Sequence, residues 1–119
     1  MNNQIIKTYI EERSWGKFER FTQNEESTIK IITVKAGEKL SLQYHKFRNE
    51  FWRILSGEGK VIIGEEVITA KKGDEFYIPV GTKHRAEGIN DELVFLEIAF
   101  GHSDENDIIR LEDKYGRQN

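Results

Sequence analysis

The chain has 119 residues, with 21 acids against 18 bases, a formal net charge of −3, and no cysteine. That length allows one folded core without staples, and the missing thiols exclude disulfides, thiolate zinc sites and a cysteine nucleophile. The charge balance leaves no nucleic-acid footprint, and no apolar run approaches the ~20 residues of a membrane span.

Residues Met1-Asn2-Asn3-Gln4 are not a basic stretch leading into an apolar block. No secretory signal is read there, and a cytoplasmic protein is expected. Residues 15–21, with Phe18 and Phe21, read as a first strand. Residues 28–34 are rich in β-branched side chains and form the next. After the turn at Lys35-Ala36-Gly37-Glu38, residues 39–45 alternate: Lys39, Ser41, Gln43 and His45 share one face, and Leu40, Leu42 and Tyr44 the other. Residues 50–55 make a strand that turns at Ser56-Gly57-Glu58-Gly59. Residues 60–63 and 67–69 flank Gly64-Glu65-Glu66 as a hairpin. Residues 75–79 end at the sole proline, and residues 93–100 form a long apolar strand holding one acid, Glu97. Residues 102–105 are polar and read as a loop, and 107–115 as a helical turn or an edge strand packed on the barrel. Short strands at this spacing predict an all-β antiparallel sandwich or barrel in one domain, 1–119, with its core at about 13–101 and a tail at 102–119.

Two stretches stand out. Gly37, five residues, Gln43, one residue, His45, four residues, Glu50, six residues and Gly57 make the first. Gly73, five residues, Pro79-Val80-Gly81, two residues and His84 make the second. Residues i and i+2 of a strand share a face, so Gln43 and His45 project together. Glu50 follows from the next strand, and His84 closes the set from a distant one. Amide oxygen, imidazole and carboxylate are ordinary ligands of a divalent transition metal.

These two stretches resemble the pair of cupin motifs, with Gln43 in place of the usual first histidine. Gly88 stands where the second motif usually ends in asparagine, and is expected to loosen the turn after the strand. The resemblance narrows with Leu40-Ser41-Leu42-Gln43-x-His45-x-x-Arg48-x-Glu50-x-Trp52, with Tyr77-Ile78-Pro79-x-Gly81-x-x-His84-Arg85, and with the tail from Asp107-Ile108-Ile109-Arg110 to Tyr115-Gly116-Arg117. Together with Trp15-Gly16-x-Phe18 they look like the type II phosphomannose isomerase cupin, from about Arg13 to Arg117. The fold implied is a small double-stranded antiparallel β-barrel. In many relatives it is the C-terminal part of a bifunctional protein that also has a guanylyltransferase domain; that activity is not expected of these residues. Phe51 and Ala99 stand where the family often has His and Gln. Phe51 is expected to point away from Glu50, whereas Ala99 shares the face of Glu97 and removes a possible substrate contact.

The resemblance implies interconversion of mannose 6-phosphate and fructose 6-phosphate through a cis-enediol. That chemistry needs a Lewis acid at the carbonyl oxygen, a base for the α-proton and cations for the phosphate. Gln43, His45, Glu50 and His84 are expected to hold one divalent ion, zinc before manganese, cobalt, nickel or iron. Arg48, Arg85 and Glu97 are the candidate catalytic residues. Arg48 either steadies the enediolate or is a solvated loop arginine. Arg85 should face away from His84 by simple alternation, yet the resemblance favours a role in substrate binding or proton transfer. Glu97, if inward, should have a raised pKa and suit a general base; the other reading is a structural ion pair. Lys39, Ser41, Arg110 and Arg117 are the candidate substrate-binding residues, with Lys39 alternatively a solubilising rim residue. Trp52 is read as barrel packing rather than a sugar platform. Outward Phe51, Leu55 and Phe100 point to a second covered surface, so a homodimer is expected, with a phosphorylated hexose as the small-molecule partner. Other readings are a different cupin sugar enzyme, such as a nucleotide-sugar isomerase or epimerase, and a non-catalytic sugar-phosphate-binding module.

Overall fold

A computed structural model of the chain describes residues 8–102 and 104–118. The strands are β1 (Tyr9–Arg13), β2 (Gly16–Arg20), β3 (Ser27–Val34), β4 (Leu42–Tyr44), β5 (Asn49–Ser56), β6 (Glu58–Ile63), β7 (Glu66–Lys71), β8 (Glu75–Ile78), β9 (His84–Gly88), β10 (Leu93–Phe100) and β11 (Ile109–Glu112). A 3-10 turn, Glu105–Asp107, precedes β11. No helix among the described residues is long and apolar enough to cross a membrane.

Two antiparallel sheets face each other. One has the order β3-β10-β5-β8 and the other β11-β4-β9-β6-β7. Alternation decides what lies between them. In β5, Glu50, Trp52 and Ile54 are buried; in β10, so are Leu93, Phe95, Glu97 and Ala99. The register aligns Phe95 with Ile54, Glu97 with Trp52, and Ala99 with Glu50. Val34, Val61, Ala70, Ile78 and Ala86 complete the apolar core. The core thus fills one end of the barrel, and Glu50, Glu97 and His84 interrupt it toward the other.

β10 lies between β3 and β5 and is apolar on both faces because its outer face is also covered at Ile98. The hairpin of β1 and β2 forms its own two-stranded sheet. After it, Phe21 meets Phe51 with ring centroids 6.0 Å apart. Arg53 lies over the Phe21 ring and pairs with both Glu19 and Glu75. Phe51 does point away from the site, but its outer face is covered by this same chain, so it is no sign of a second copy.

Two motif positions depend on having no side chain. Gly57 has φ +82°, and a Cβ there would overlap the carbonyl oxygen of Glu92. Gly88 closes β9 where a Cβ would overlap the carbonyl oxygen of Lys35. Its own N–H donates to Glu38 O, and its carbonyl accepts from Gly37 N, both at 2.9 Å. The expectation that glycine here loosens the turn is therefore reversed: it permits close backbone packing.

The strands expected at 28–34, 50–55, 60–63, 67–69, 75–79 and 93–100 are present with ends shifted by two residues at most. The strand expected over 39–45 is shorter. Only Leu42–Tyr44 is regular, with Lys39 in an isolated bridge to Glu87. Leu40 N–H still donates to Ala86 O at 3.0 Å, while the Leu40 carbonyl accepts from Arg85 Nε at 2.8 Å. Of the two alternatives for 107–115, the edge strand holds: β11 pairs with β4. The strands β1 and β9 escaped the sequence reading.

Candidate metal centre and adjoining cavity

Three ligand-type side chains converge inside the barrel: His45 just beyond β4, Glu50 in β5 and His84 at the start of β9. Their ligand atoms all lie within 4.8 Å of one another, and all three residues are buried. They come from both sheets, so only closure of the barrel brings them together. The His45 and His84 ring centroids are 5.0 Å apart.

Neighbouring groups orient each of the three side chains. His45 Nδ1 is 2.9 Å from Asp107 O, and His84 Nδ1 is 2.9 Å from Thr82 O. Carbonyl oxygens only accept, so each Nδ1 carries its proton and each Nε2 turns inward. The Nε2 atoms stand 3.1 Å and 3.7 Å from the two Glu50 oxygens. Glu50 Oε1 also accepts from Trp52 Nε1 at 3.0 Å, and Oε2 from Arg48 Nε at 2.9 Å. Trp52 packs on Phe95 with centroids 4.4 Å apart, so it is a packing residue that also orients Glu50.

The donor set fits a divalent cation. His84 Nε2 is buried without a hydrogen-bond partner among the described residues. An inward imidazole nitrogen beside an ionised carboxylate either shares a second proton with it or offers its lone pair to a cation. Two histidines and one glutamate leave coordination positions open, as a catalytic rather than a structural metal site requires.

Electrostatics separate the two inner carboxylates. Burial opposes ionisation of Glu50, but the His45 contact and the His84 and Arg48 charges outweigh it and hold its pKa at about 2. Burial, and then the Glu50 charge, push Glu97 up to about 7 despite Lys30 and Arg48. Burial lowers the pKa of His84, with Glu50 opposing.

Beside the triad lies a cavity of about 160 Å³. Ser41, Gln43, Arg48, Glu97, Arg110 and Arg117 line it, along with Lys30. Arg48 joins it to the triad, with Nη2 3.3 Å from His45 Nε2. Gln43 is the register partner of His84, and its Oε1 accepts from Ser41 Oγ at 2.7 Å. Arg110 is brought in as the register partner of Gln43. The structure thus gathers most of the sequence candidates around one space.

Lys39 and Arg85 lie elsewhere. They line a separate surface recess with Glu112, Asp113 and Lys114. Arg85 is buried, but Nε donates to Leu40 O and Nη1 to Glu112 Oε1 at 3.1 Å, so its reach is spent on the tail. Sequence reasoning missed Lys30, which sits opposite Glu97 in the register of β10 and β3. Its signal was alternation with Ile32 and Val34. It also missed Asp107, whose signal was only its place at the head of the tail motif. Ala99 is buried directly opposite Glu50.

The profile of the family described as "Mannose-6-phosphate isomerase C-terminal" matches residues 2–113. The chain belongs to this family. The xanthan biosynthesis protein XanB of Xanthomonas campestris pv. campestris is 39% identical over 107 residues, 88% of this chain and 23% of that protein. The mannose-1-phosphate guanylyltransferase ManC of Salmonella typhimurium is 38% identical over 107 residues, again 88% of this chain and 22% of the relative. The chain therefore spans less than a quarter of these relatives' length. Among solved structures, a cupin protein from Bacteroides fragilis superposes with TM-score 0.58 and 27% identity, covering 65% of this chain and 72% of that one. Oxalate decarboxylase from Bacillus subtilis gives TM-score 0.66 and 25% identity, covering 73% of this chain and 24% of that one. The fold is that of a cupin, within a family tied to sugar metabolism.

Proposed function

We propose that this domain is a metal-dependent aldose–ketose isomerase that interconverts mannose 6-phosphate and fructose 6-phosphate. The reading rests above all on Glu97. A carboxyl with a pKa of about 7 lines the same cavity as Arg48, Arg110 and Arg117, beside the triad.

His45, Glu50 and His84 would hold one divalent ion, zinc first, with Gln43 beside them as a further oxygen donor. The ion's contribution is Lewis acidity toward the C1 or C2 carbonyl oxygen. The chain's own groups supply the rest. Lys30, Arg110 and Arg117, the last also paired with Asp113, line the cavity and would meet the phosphate dianion as cations. Arg48, fixed on Glu50, turns its guanidinium toward the sugar oxygens at C1 and C2. Glu97 takes the C2 proton of the open-chain aldose on one carboxylate oxygen and returns it to C1 of the enediol, while a proton passes from O2 to O1. A buried carboxyl serves both directions, because burial favours its holding the proton that it must later release.

The experiment is an isomerase assay on protein reconstituted with zinc, manganese or cobalt, run in deuterium oxide. Conversion of mannose 6-phosphate with deuterium entering C1 or C2, abolished in His84→Ala, is the expected result. Binding of mannose 6-phosphate without any exchange would leave a sugar-phosphate-binding module and end the isomerase reading.

A further inference from the structure

We propose that Asp107 is a positioning residue of the metal centre, through which the C-terminal segment aims His45. The inference rests on the reading of His45, Glu50 and His84 as metal ligands.

Asp107 is 7% exposed and lies 62 residues from His45 in sequence. All three of its acceptor oxygens meet the loop that begins with this ligand. Oδ1 accepts from Lys46 N at 2.8 Å, Oδ2 accepts from Phe47 N at 3.0 Å, and the main-chain oxygen accepts from His45 Nδ1 at 2.9 Å. A carboxylate held by two successive N–H groups has little freedom to shift or rotate. Its grip therefore fixes where the Asp107 carbonyl stands against the imidazole. That carbonyl selects the Nδ1–H tautomer and leaves Nε2 for the metal.

The two histidines differ in how they are supported. His84 takes its orienting carbonyl from Thr82, two residues away on the same stretch of chain. His45 depends on a segment that arrives after β10. Ile108, buried beside Asp107, anchors that segment, and two residues later it carries Arg110 to the cavity. The support of one metal ligand and the placement of one cavity cation are thus built on the same few residues.

The variant Asp107→Asn keeps the shape but turns an amide N–H₂ toward one of the two backbone donors. We expect cobalt(II) and zinc(II) to bind 10- to 100-fold more weakly by chelator competition, with a changed visible spectrum for the cobalt form. In a His45→Ala background the same change should add no further loss. Glu19→Gln, which weakens the distant Arg53 pair, serves as the control and should leave affinity and spectrum unchanged. If Asp107→Asn binds cobalt with wild-type affinity and spectrum, the inference is overturned while the metal centre stands. If Glu19→Gln weakens cobalt binding as much, the Asp107 effect is general loss of stability and the inference also falls. If the wild type binds neither metal, the metal centre itself is refuted. Nitrogen-15 shifts of the wild-type imidazoles need no variant: His45 should carry its proton on Nδ1, and an Nε2–H form would overturn the proposal even if Asp107→Asn failed to fold.

Discussion

Replacing Glu97 by glutamine should remove a pH dependence of stability whose size follows from its surroundings. Burial raises the Glu97 pKa from 4.5 to about 7 in the folded protein. Below the lower value the carboxyl is protonated in both states, and its stabilising contribution is complete. As pH rises, the unfolded chain ionises first and the folded one does not, so the folded state loses ground until pH passes the folded value. A tenfold difference in acidity between the two states corresponds to about 1.4 kcal/mol. The metal-free wild type should therefore lose about 2 to 3 kcal/mol between pH 5 and pH 8 through this group alone. His84 has a lowered pKa and acts in the opposite sense, so the useful quantity is the difference between wild type and Glu97→Gln. Urea unfolding of both proteins with chelator present, at intervals across that range, gives the curve. A difference that stays flat would show that Glu97 is ionised or solvated in the fold, and its role as proton carrier would be refuted with it.

Gly57→Ala should cost about 2 to 4 kcal/mol in the same unfolding assay, because it combines a positive φ with overlap on the Glu92 carbonyl. Trp52→Phe keeps most of the packing on Phe95 but takes a donor from Glu50 Oε1, so unfolding should become easier by about 1 to 3 kcal/mol. An unchanged midpoint would mean another donor satisfies that oxygen. Arg110→Gln should raise KM for mannose 6-phosphate about tenfold or more with a smaller change in kcat, read in steady-state assays; an unchanged KM would place the phosphate elsewhere.

Much of the architecture was legible locally. The strands at 28–34, 50–55 and 93–100 declare themselves by β-branched or apolar runs between turn residues, and such preferences act over a few neighbours. The strand β9 did not, because His84-Arg85-Ala86-Glu87-Gly88 lacks β-branched residues and is a strand only through its pairing with β6 and β4. The hairpin strand β1 carries three charged residues in five and, among the described residues, pairs with β2 alone.

The order of residues along the chain is enough to name His45, Glu50 and His84, since strand alternation and the spacing of turns act at short range. Which cations accompany them was decided by long-range closure. Lys30 enters from β3 opposite Glu97, while Arg85 is drawn to Leu40 and Glu112 and faces a different recess. Trp52 became a partner of Glu50, and Asp107 of His45, only once strands and tail met. A side chain's neighbours across a barrel depend on register and sheet order, and these come from burial summed over the whole molecule rather than from any one segment.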